Sequence, residues 1–466
     1  MKKTVLMTSG LVFILAAAVL APPYWLSLKA EKAFGDGLGA MGNQSGLHLS
    51  RSSFTRGWFS SRAETVLEFP GNAPIHISAQ HSIYHGPLLV GRWFEGNFDT
   101  TLKQTEIETR GEITLTAKEP SGPAGTVAFS ADTTIGLDGA GHTRISSPAF
   151  TRTMAPGKLE WHGLQGDIHF DAGMQHVQSE FTAPGLKFPM GEVANIRMHS
   201  DTHEGVAGQM LGKTTFEVGS VSFEPLVYAK GFKLSIDNAA QGDALSVGVV
   251  YELPDLRIAE QQHGPARLAI EVRKLDATVL ARFQEELRAL QRSDRPAEQQ
   301  GLMQMGKLLQ LVGELAKKSP ELEITELGFR MNGEEVRGKA RFVLDGSKSD
   351  IAENPLLMLT AISGDVDVSL PAAIIKPMLL PLLKADLENF RRQGKLKKGE
   401  AEKLTPEQLS IILDRSMPTY LARNEFTRHL VADGNRLRLT ASLRRGQVTV
   451  NGEPFSMGGM GMPALQ

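Results

Sequence analysis

The feature that most constrains this fold is a long series of short segments in which apolar and polar residues alternate. Thr126–Ala131, with the sequence TVAFSA, is typical. Successive side chains on a strand point to opposite faces, so this alternation predicts antiparallel strands with one solvated and one buried face. The strands predicted as far as Leu253 are His48–Phe54, Ser61–Phe69, Ile75–Tyr84, Glu106–Ala117, Thr126–Leu137, Arg144–Arg152, Lys158–Asp171, Val177–Ala183, Val193–His199, Lys213–Phe223, Phe232–Ile236 and Leu245–Leu253.

Helical patterns appear only after Leu275. Leu275–Leu290 and Leu302–Leu315 each carry an apolar stripe on one helix face, with a break around Ser293–Pro296. Two further helices are predicted at Pro371–Phe390 and Thr405–Leu430, the latter with Thr405 and Gln408 placed for a capping box. Strands return at Leu322–Asn332, Arg337–Leu344, Leu357–Val368, Arg436–Leu443 and Gln447–Asn451.

The N-terminus is predicted to lie in a membrane. Lys2 and Lys3 precede the apolar run Val5–Ala21, which is long enough to cross a bilayer core as a helix. Lysines before such a run stay on the cytoplasmic side, so the bulk of the chain is expected outside the cytoplasm. Ala16 and Ala18 leave a cleaved signal peptide open as the alternative.

Together these patterns predict an α+β, mainly β fold. An N-terminal membrane helix precedes a long curved antiparallel sheet, and the helical blocks Leu275–Lys318 and Pro371–Leu430 pack on the apolar face of that sheet. The predicted divisions are a transmembrane anchor at 1–28, a helix and linker at 29–46, an antiparallel β-rich domain at 47–270, a mixed strand and helix domain at 271–456, and a flexible tail at 457–466. The glycines within Gly37–Gly42 are interpreted as a helix end and linker.

Composition narrows the function classes. The net charge is −2 and 22% of residues are charged, which does not favour nucleic-acid binding. The chain has no cysteine, so disulfides, thiol catalysis and thiolate metal sites are excluded. We find no nucleophile elbow, zinc-protease motif or phosphate-binding loop, and therefore expect no enzyme activity and no cofactor.

Isolated polar residues also have structural interpretations. His81 and His85 share a face of a predicted strand but lie about 13 Å apart at 3.3 Å per residue, too far to bind one ion together. We therefore predict a structural turn at His85-Gly86-Pro87 rather than a metal site. Asp365 and Asp367 are interpreted as a solvated strand face. An enzyme would need a polar cluster formed only by the fold, such as His162, Asp167 and His169.

Three motifs carry a family resemblance. Gly57 and Trp58 occupy a predicted tight turn, His85-Gly86-Pro87 ends the strand after it, and Asn451-Gly452 follows the last predicted strand. In this order and spacing they resemble the bacterial YdgA/YihF family of inner-membrane and periplasmic proteins of unknown function. The resemblance implies a membrane-anchored protein with a large periplasmic β-rich part, and it implies no catalytic residues. Trp58 is interpreted as a turn aromatic folded onto the sheet, with a ligand-stacking platform as the alternative.

One segment suggests contact with lipid or with a partner. Leu370–Leu383 is apolar nearly all round and is followed by the basic stretch Arg391–Lys398. The segment is either a helix buried against the sheet or an element that touches lipid or a partner protein. The contact residues would be Ile374, Ile375, Met378, Leu379, Leu382 and Leu383.

The sequence therefore predicts a non-enzymatic, inner-membrane-anchored periplasmic protein. Lipid binding or transfer along an apolar β-groove is the leading hypothesis, by architectural analogy with AsmA-like envelope proteins. The alternative is a periplasmic scaffold that holds envelope proteins or forms a homo-oligomer, and an enzyme with an unrecognised site comes third. An apolar stripe left open on the sheet would favour lipid, whereas a filled core would favour the scaffold.

Overall fold

The computed structural model describes residues 22–32, 34–35, 48–69, 75–115, 125–154, 157–223, 225–259, 261–291, 297–331, 333–347, 360–393, 404–423 and 427–455. The predicted apolar run Val5–Ala21, the glycines at 37–42 and the tail at 457–466 lie outside these residues. Within the described ranges no helix is both long and apolar enough to cross a bilayer.

The chain is mainly β, as its alternating pattern predicts. The strands are β1 His48–Thr55, β2 Ser60–Phe69, β3 Ile75–His85, β4 Thr105–Leu115, β5 Gly125–Ile135, β6 Gly141–Ser147, β7 Phe150–Met154, β8 Gly157–Trp161, β9 Leu164–Phe170, β10 His176–Phe188, β11 Gly191–Glu204, β12 Met210–Phe223, β13 Val227–Gln241, β14 Ala244–Leu253, β15 Asp255–Ile258, β16 Gln261–Asp276, β17 Glu321–Met331, β18 Glu334–Leu344, β19 Ile362–Pro371, β20 Val431–Asp433, β21 Arg436–Arg444, β22 Gln447–Val450 and β23 Glu453–Phe455. The helices are α1 at 22–32 and 34–35, α2 Val90–Trp93, α3 Ala277–Gln291, α4 Ala297–Ala316, α5 Ala372–Arg392 and α6 Pro406–Ala422, with a 3₁₀ turn at Val206–Gly208.

Two compact units divide the chain. The first contains Met1–Glu224 with Ala281–Gln304, and the second contains Pro225–Leu280 with Met305–Gln466. The predicted boundary between 270 and 271 followed the change from strands to helices in the sequence. The division into compact units comes earlier because β14 pairs with both β13 and β16, and β16 pairs with β17, which ties these strands to the C-terminal part.

The described strands of the first unit pair antiparallel. β1 to β6 form a continuous order, β6 pairs with β9, and β9 to β12 continue it, while the β7–β8 hairpin joins through β8 to β10. The single strands predicted at Arg144–Arg152 and Lys158–Asp171 are wrong, because each is two strands. Pro148 interrupts the first and Gly163, with φ +95°, turns the second.

In the second unit, pairing follows the order β13–β14–β16–β17–β18–β19–β21–β22–β23, again antiparallel. β15 pairs with β13 and β16, and β20 pairs with β21. The sequence analysis missed β15, β16 and the short strands β20 and β23. For β16 the signal was present, since Leu268, Ile270 and Val272 alternate with Arg267, Ala269, Glu271 and Arg273.

The helices of the C-terminal half lie close to their predicted positions. Thr405 and Gln408 form the predicted capping box at the start of α6. That helix ends at Ala422 and not at Leu430, and the Thr427 hydroxyl satisfies one carbonyl of its last turn by donating to Leu421 at 2.9 Å. The core of this region comprises Ile375, Leu379, Leu383, Leu409, Leu413, Met417, Tyr420, Leu421 and Leu437.

Candidate functional site

The apolar face of the second unit forms one continuous surface, here called the apolar stripe. Its central row crosses eight strands because the registers place one small or branched apolar residue opposite the next. This row is Ile236, Val249, Ile270, Ile324, Ala340, Val366, Ala441 and Val450. Flanking rows contain Leu234, Tyr251, Leu268, Leu327, Val368 and Leu439 on one side and Val247, Val272, Leu322, Phe342, Leu443 and Val448 on the other.

The stripe is partly open to solvent. Every side chain of its central row is only partly buried. Tyr251 and Leu322 in the flanking rows are 39% and 40% exposed. The apolar face is fully covered only in the row beyond the flanking row of Leu439, where Leu437 packs beneath α5 and α6. The helices therefore cover the apolar face at one end. The three rows of the apolar stripe are not covered in this way and keep accessible apolar surface.

The opposite face of the same strands is ion-paired. Asp365 pairs with Arg444 at 2.7 Å, and Asp367 pairs with Arg438 at 2.8 Å, which confirms the predicted solvated strand face. The hydrogen bond from Arg438 lowers the pKa of Asp367 below its ordinary value. A shallow cavity of about 530 Å³ on this face includes Asp365 and Arg341 in its lining. Charge is thus kept off the apolar stripe.

Glu321 joins several cations on this charged face. Its carboxylate is 9% exposed and accepts hydrogen bonds from Lys274 at 2.6 Å and Arg341 at 2.9 Å. The hydrogen bond from Lys274 is the main cause that lowers the pKa of Glu321. These contacts cross β16, β17 and β18 and hold three neighbouring strands of the stripe in register.

In the first unit, the sheet face that carries the larger apolar residues also carries hydroxyl groups. Thr133 hydrogen-bonds Thr143 at 2.9 Å, and Ser200 hydrogen-bonds Thr214 at 2.8 Å, on the side that also carries Ile145 and Phe181. Hydroxyl ladders of this kind interrupt the apolar surface. The second unit therefore offers the more uniform apolar face.

The predicted contact residues on α5 divide between core and surface. Ile375, Leu379 and Leu383 are 8%, 3% and 2% exposed and belong to the core between α5, α6 and β21. Leu382 is 41% exposed, and Ile374 is partly buried. The side chain of Met378 lies outside the description. With the helix packed in this way, the three core residues are unavailable to lipid, and only the opposite helix face can meet a ligand.

The His-Gly-Pro motif forms a buried turn. His85 is fully buried, and its Nε2 lies 2.8 Å from the Ser61 hydroxyl, while burial lowers its pKa to about 4. The Gly86–Pro87 peptide is cis, and the Gly86 amide donates to the carbonyl of Gln104 at 2.9 Å. Ser61 and His85 are too buried to meet a substrate, so the pair has a structural role.

Trp58 does not fold flat onto the sheet as predicted. It is 50% exposed and contacts Tyr24 of α1, with the ring centroids 5.0 Å apart. The Gly57 amide is 3.3 Å from the Ser61 hydroxyl, which holds the turn before β2. The motif therefore presents an aromatic side chain beside the N-terminal helix.

Asn451 and Gly452 form the turn between β22 and β23. Both have positive φ values, 51° and 86°, which Asn and Gly tolerate best. The Asn451 carboxamide accepts from the Thr440 amide at 2.9 Å and donates to the carbonyl of His429. This motif ties the last hairpin to β21.

The polar cluster considered for catalysis is only partly assembled. His142 lies 2.8 Å from Asp167 and stacks on His169 with centroids 4.3 Å apart. His162 lies in the turn between β8 and β9, where it lines a separate shallow cavity with Ser146 and Thr182. Among the residues that the structure describes, no three acidic or histidine side chains are grouped to hold a metal ion.

Fold and site together define a mainly antiparallel β protein, and the sheet of its second unit has one apolar face and one ion-paired face. The chain belongs to the family described as bacterial protein of unknown function (DUF945), which matches residues 1–458. No curated protein and no solved structure matches it. The expectation of a bacterial family of unknown function that covers nearly the whole chain is thus confirmed.

Proposed function

We propose that this protein is a non-enzymatic component of the bacterial cell envelope that binds lipid acyl chains on the apolar stripe. Lys2, Lys3 and the apolar run Val5–Ala21 support an inner-membrane anchor with the bulk of the chain in the periplasm. The finer resemblance to the YdgA/YihF family is part of the same proposal, because those relatives are inner-membrane and periplasmic proteins.

The observation that carries the proposal is the partly open central row of the stripe. Eight strands at about 4.8 Å spacing make this row about 34 Å long. One leaflet of a bilayer core is about 15 Å thick, so an acyl chain of that length fits along less than half of the row. Three rows about 7 Å apart give enough width for more than one chain.

The energetics favour a lipid with two chains. Each buried methylene contributes about 0.8 kcal/mol, and an open face shields about half of the chain. A chain of about 15 methylenes then gains about 6 kcal/mol, equivalent to a Kd of tens of micromolar. Two chains roughly double this gain, so a diacyl phospholipid should survive purification where a free fatty acid would not.

A scaffold or homo-oligomer is the second candidate, because the same exposed stripe could be covered by a second copy of the chain or by another envelope protein. Catalysis has less support. His142 and Asp167 are 34% and 46% exposed on an open sheet face. Water screens their charges there, and the open face does not exclude water from a bound substrate.

The test is native mass spectrometry with lipid extraction on a chain that lacks residues 1–21. Deletion should stop there because Ser27 of α1 is fully buried and Tyr24 packs on Trp58. Val249→Thr and Val366→Thr place hydroxyls on the stripe. Val250→Thr makes the same change one residue along β14, on the opposite face, and is the matched control.

We expect phospholipid to co-purify with the shortened chain and with Val250→Thr, and at several-fold lower occupancy with the double stripe variant. A lipid-free chain in a defined oligomer would reject lipid binding in favour of the scaffold. Equal lipid in all variants would show that the lipid sits elsewhere and would reject the stripe as the site.

A further inference from the structure

A loop of the first unit presents large apolar side chains to solvent. The loop comprises residues 86–104, between β3 and β4, and includes the short helix α2. Phe94 and Phe98 are 77% and 73% exposed, and Leu102 is 55% exposed. A large apolar side chain left in water forgoes the free energy of burial, so three of them in one loop indicate a surface that is covered in the working protein.

The loop is held in place by its own hydrogen bonds. Three of them connect Gly86 N to Gln104 O, Lys103 N to Pro87 O, and the Trp93 indole to Asp99 O, each at 2.9 Å. An ion pair between Lys103 and Asp99 at 2.9 Å adds to them. The rings at Phe94 and Phe98 are therefore presented by a fixed loop, and the exposed apolar surface has a defined shape.

Aromatic contacts connect this loop to α1. The Phe94 ring lies 6.0 Å from Phe59, and the adjacent Trp58 lies 5.0 Å from Tyr24. Next to Tyr24, Trp25 is 54% exposed. We call the exposed members of this set the aromatic rim, namely Tyr24, Trp25, Trp58, Phe94 and Phe98. The rim thus begins three residues after the apolar run Val5–Ala21 ends.

We propose that the aromatic rim lies in the headgroup region of the same phospholipid bilayer that holds the N-terminal segment. This inference rests on the membrane anchoring proposed above and is independent of lipid binding at the stripe. At 1.5 Å per helical residue, Tyr24 lies about 3 Å beyond Pro22, the residue that follows the apolar run, which is within the headgroup layer when the run ends at the edge of the hydrocarbon core.

The chemistry of the rim fits that depth. Tyrosine and tryptophan settle at the membrane interface, where the ring contacts apolar carbon and the polar edge contacts water. Lys29 places its ammonium 3.7 Å over the Trp25 ring, and Arg56 lies over Tyr24 at 5.7 Å. Cations beside interfacial aromatics can meet lipid phosphates. A bilayer surface is therefore the occupant we assign to the rim, and it fixes which end of the first unit faces the membrane.

The absence of native cysteine gives a direct test. Phe98→Cys and Met190→Cys are each labelled with a polarity-sensitive fluorophore in the otherwise unchanged full chain. Met190 is 67% exposed and lies in the turn after β10, at the opposite end of the strands from the β3–β4 loop. Both chains are reconstituted into vesicles of phosphatidylethanolamine and phosphatidylglycerol, with and without a headgroup nitroxide lipid.

We expect a blue shift and severalfold stronger nitroxide quenching at position 98 than at position 190. Equal, weak quenching at both positions would overturn the proposal. A label at 98 that is shielded from aqueous acrylamide but unquenched by the nitroxide lipid would also overturn it, by pointing to a second copy or a protein partner. If neither labelled chain stays with the vesicles, the anchor itself has failed, and lipid at the stripe of the shortened chain remains separately measurable.

Discussion

His85 shows how one buried side chain links a motif to stability. Its ring is fully buried, and its Nδ1 has no hydrogen-bond partner in the described structure. The folded protein therefore resists protonation of this ring, with a pKa of about 4 against 6.5 for the free side chain. Burial also lowers the pKa of His81, whose ring lies between the hydroxyls of Thr65 and Thr109. Both residues disfavour the folded state in acid.

The first prediction concerns this pH dependence. Above pH 6.5 His85 is neutral in both states, whereas between pH 6.5 and 4 only the unfolded chain binds the proton, so stability falls as the pH falls. Across this range the free energy of unfolding falls by about 3 kcal/mol, because each pKa unit corresponds to about 1.4 kcal/mol. His85→Gln should flatten this part of the profile, measured by urea unfolding against pH. His203→Gln, at an exposed position, is the matched control, and equal slopes in both variants would reject the explanation.

The second prediction concerns Gly86. A Cβ added there would overlap the backbone carbonyl of Lys103, which cannot move without breaking the loop. Gly86→Ala should therefore lower the free energy of unfolding by about 1–3 kcal/mol or more. Gly306→Ala is the control, because nothing lies within 4 Å of its added Cβ and the residue is in a helix. It should stabilise the protein by up to about 1 kcal/mol. Thermal melts compare the two, and a neutral Gly86→Ala would contradict the steric argument.

At the scale of elements, α5 combines a buried face and an exposed face. Lys376 pairs with Asp414 at 2.6 Å, and Asp386 accepts from the Tyr420 hydroxyl at 3.0 Å, so polar contacts as well as the core hold α5 against α6. The helix continues through Pro377 and Pro381, which are both exposed. Apolar residues therefore occur on both faces of α5, and only one of these faces packs against the core.

The third prediction separates these two faces. Leu379→Ala should cost about 2–5 kcal/mol, because it leaves a cavity in the core. Leu382→Ala removes a side chain that is 41% exposed and should change stability by about 0.5 kcal/mol or less. Urea unfolding midpoints of the two variants test this directly. Similar losses for both would mean that α5 does not pack as described.

At the scale of the whole molecule, the central question is which side of the membrane the two units occupy. The proposed anchor predicts that an added protease digests both units in intact spheroplasts, while a cytoplasmic marker protein survives. An alkaline carbonate wash should leave the undigested chain in the membrane pellet. Protection in spheroplasts that is lost only on lysis would place the bulk of the chain in the cytoplasm and reject the proposed topology.

The sequence alone determined most of the strands and helices, because alternation along a strand and periodicity along a helix are local. Thr126–Leu137 was predicted from its alternation, and the capping box of α6 from Thr405 and Gln408. The motif at His85-Gly86-Pro87 was likewise predicted as a structural turn. Local signals failed where an interruption was short, as at Pro148 and Gly163, whereas the alternation in β16 was present in the sequence and was overlooked.

Only the tertiary structure decided which residues share a surface. Ile236 and Val450 belong to one row because the registers of the intervening strands align them, and no local pattern contains that alignment. Likewise, Leu379 and Leu382 look alike in the sequence, yet one is core and the other is exposed. Burial depends on contacts between residues far apart in the chain, so the open stripe and the aromatic rim could not be derived from sequence periodicity.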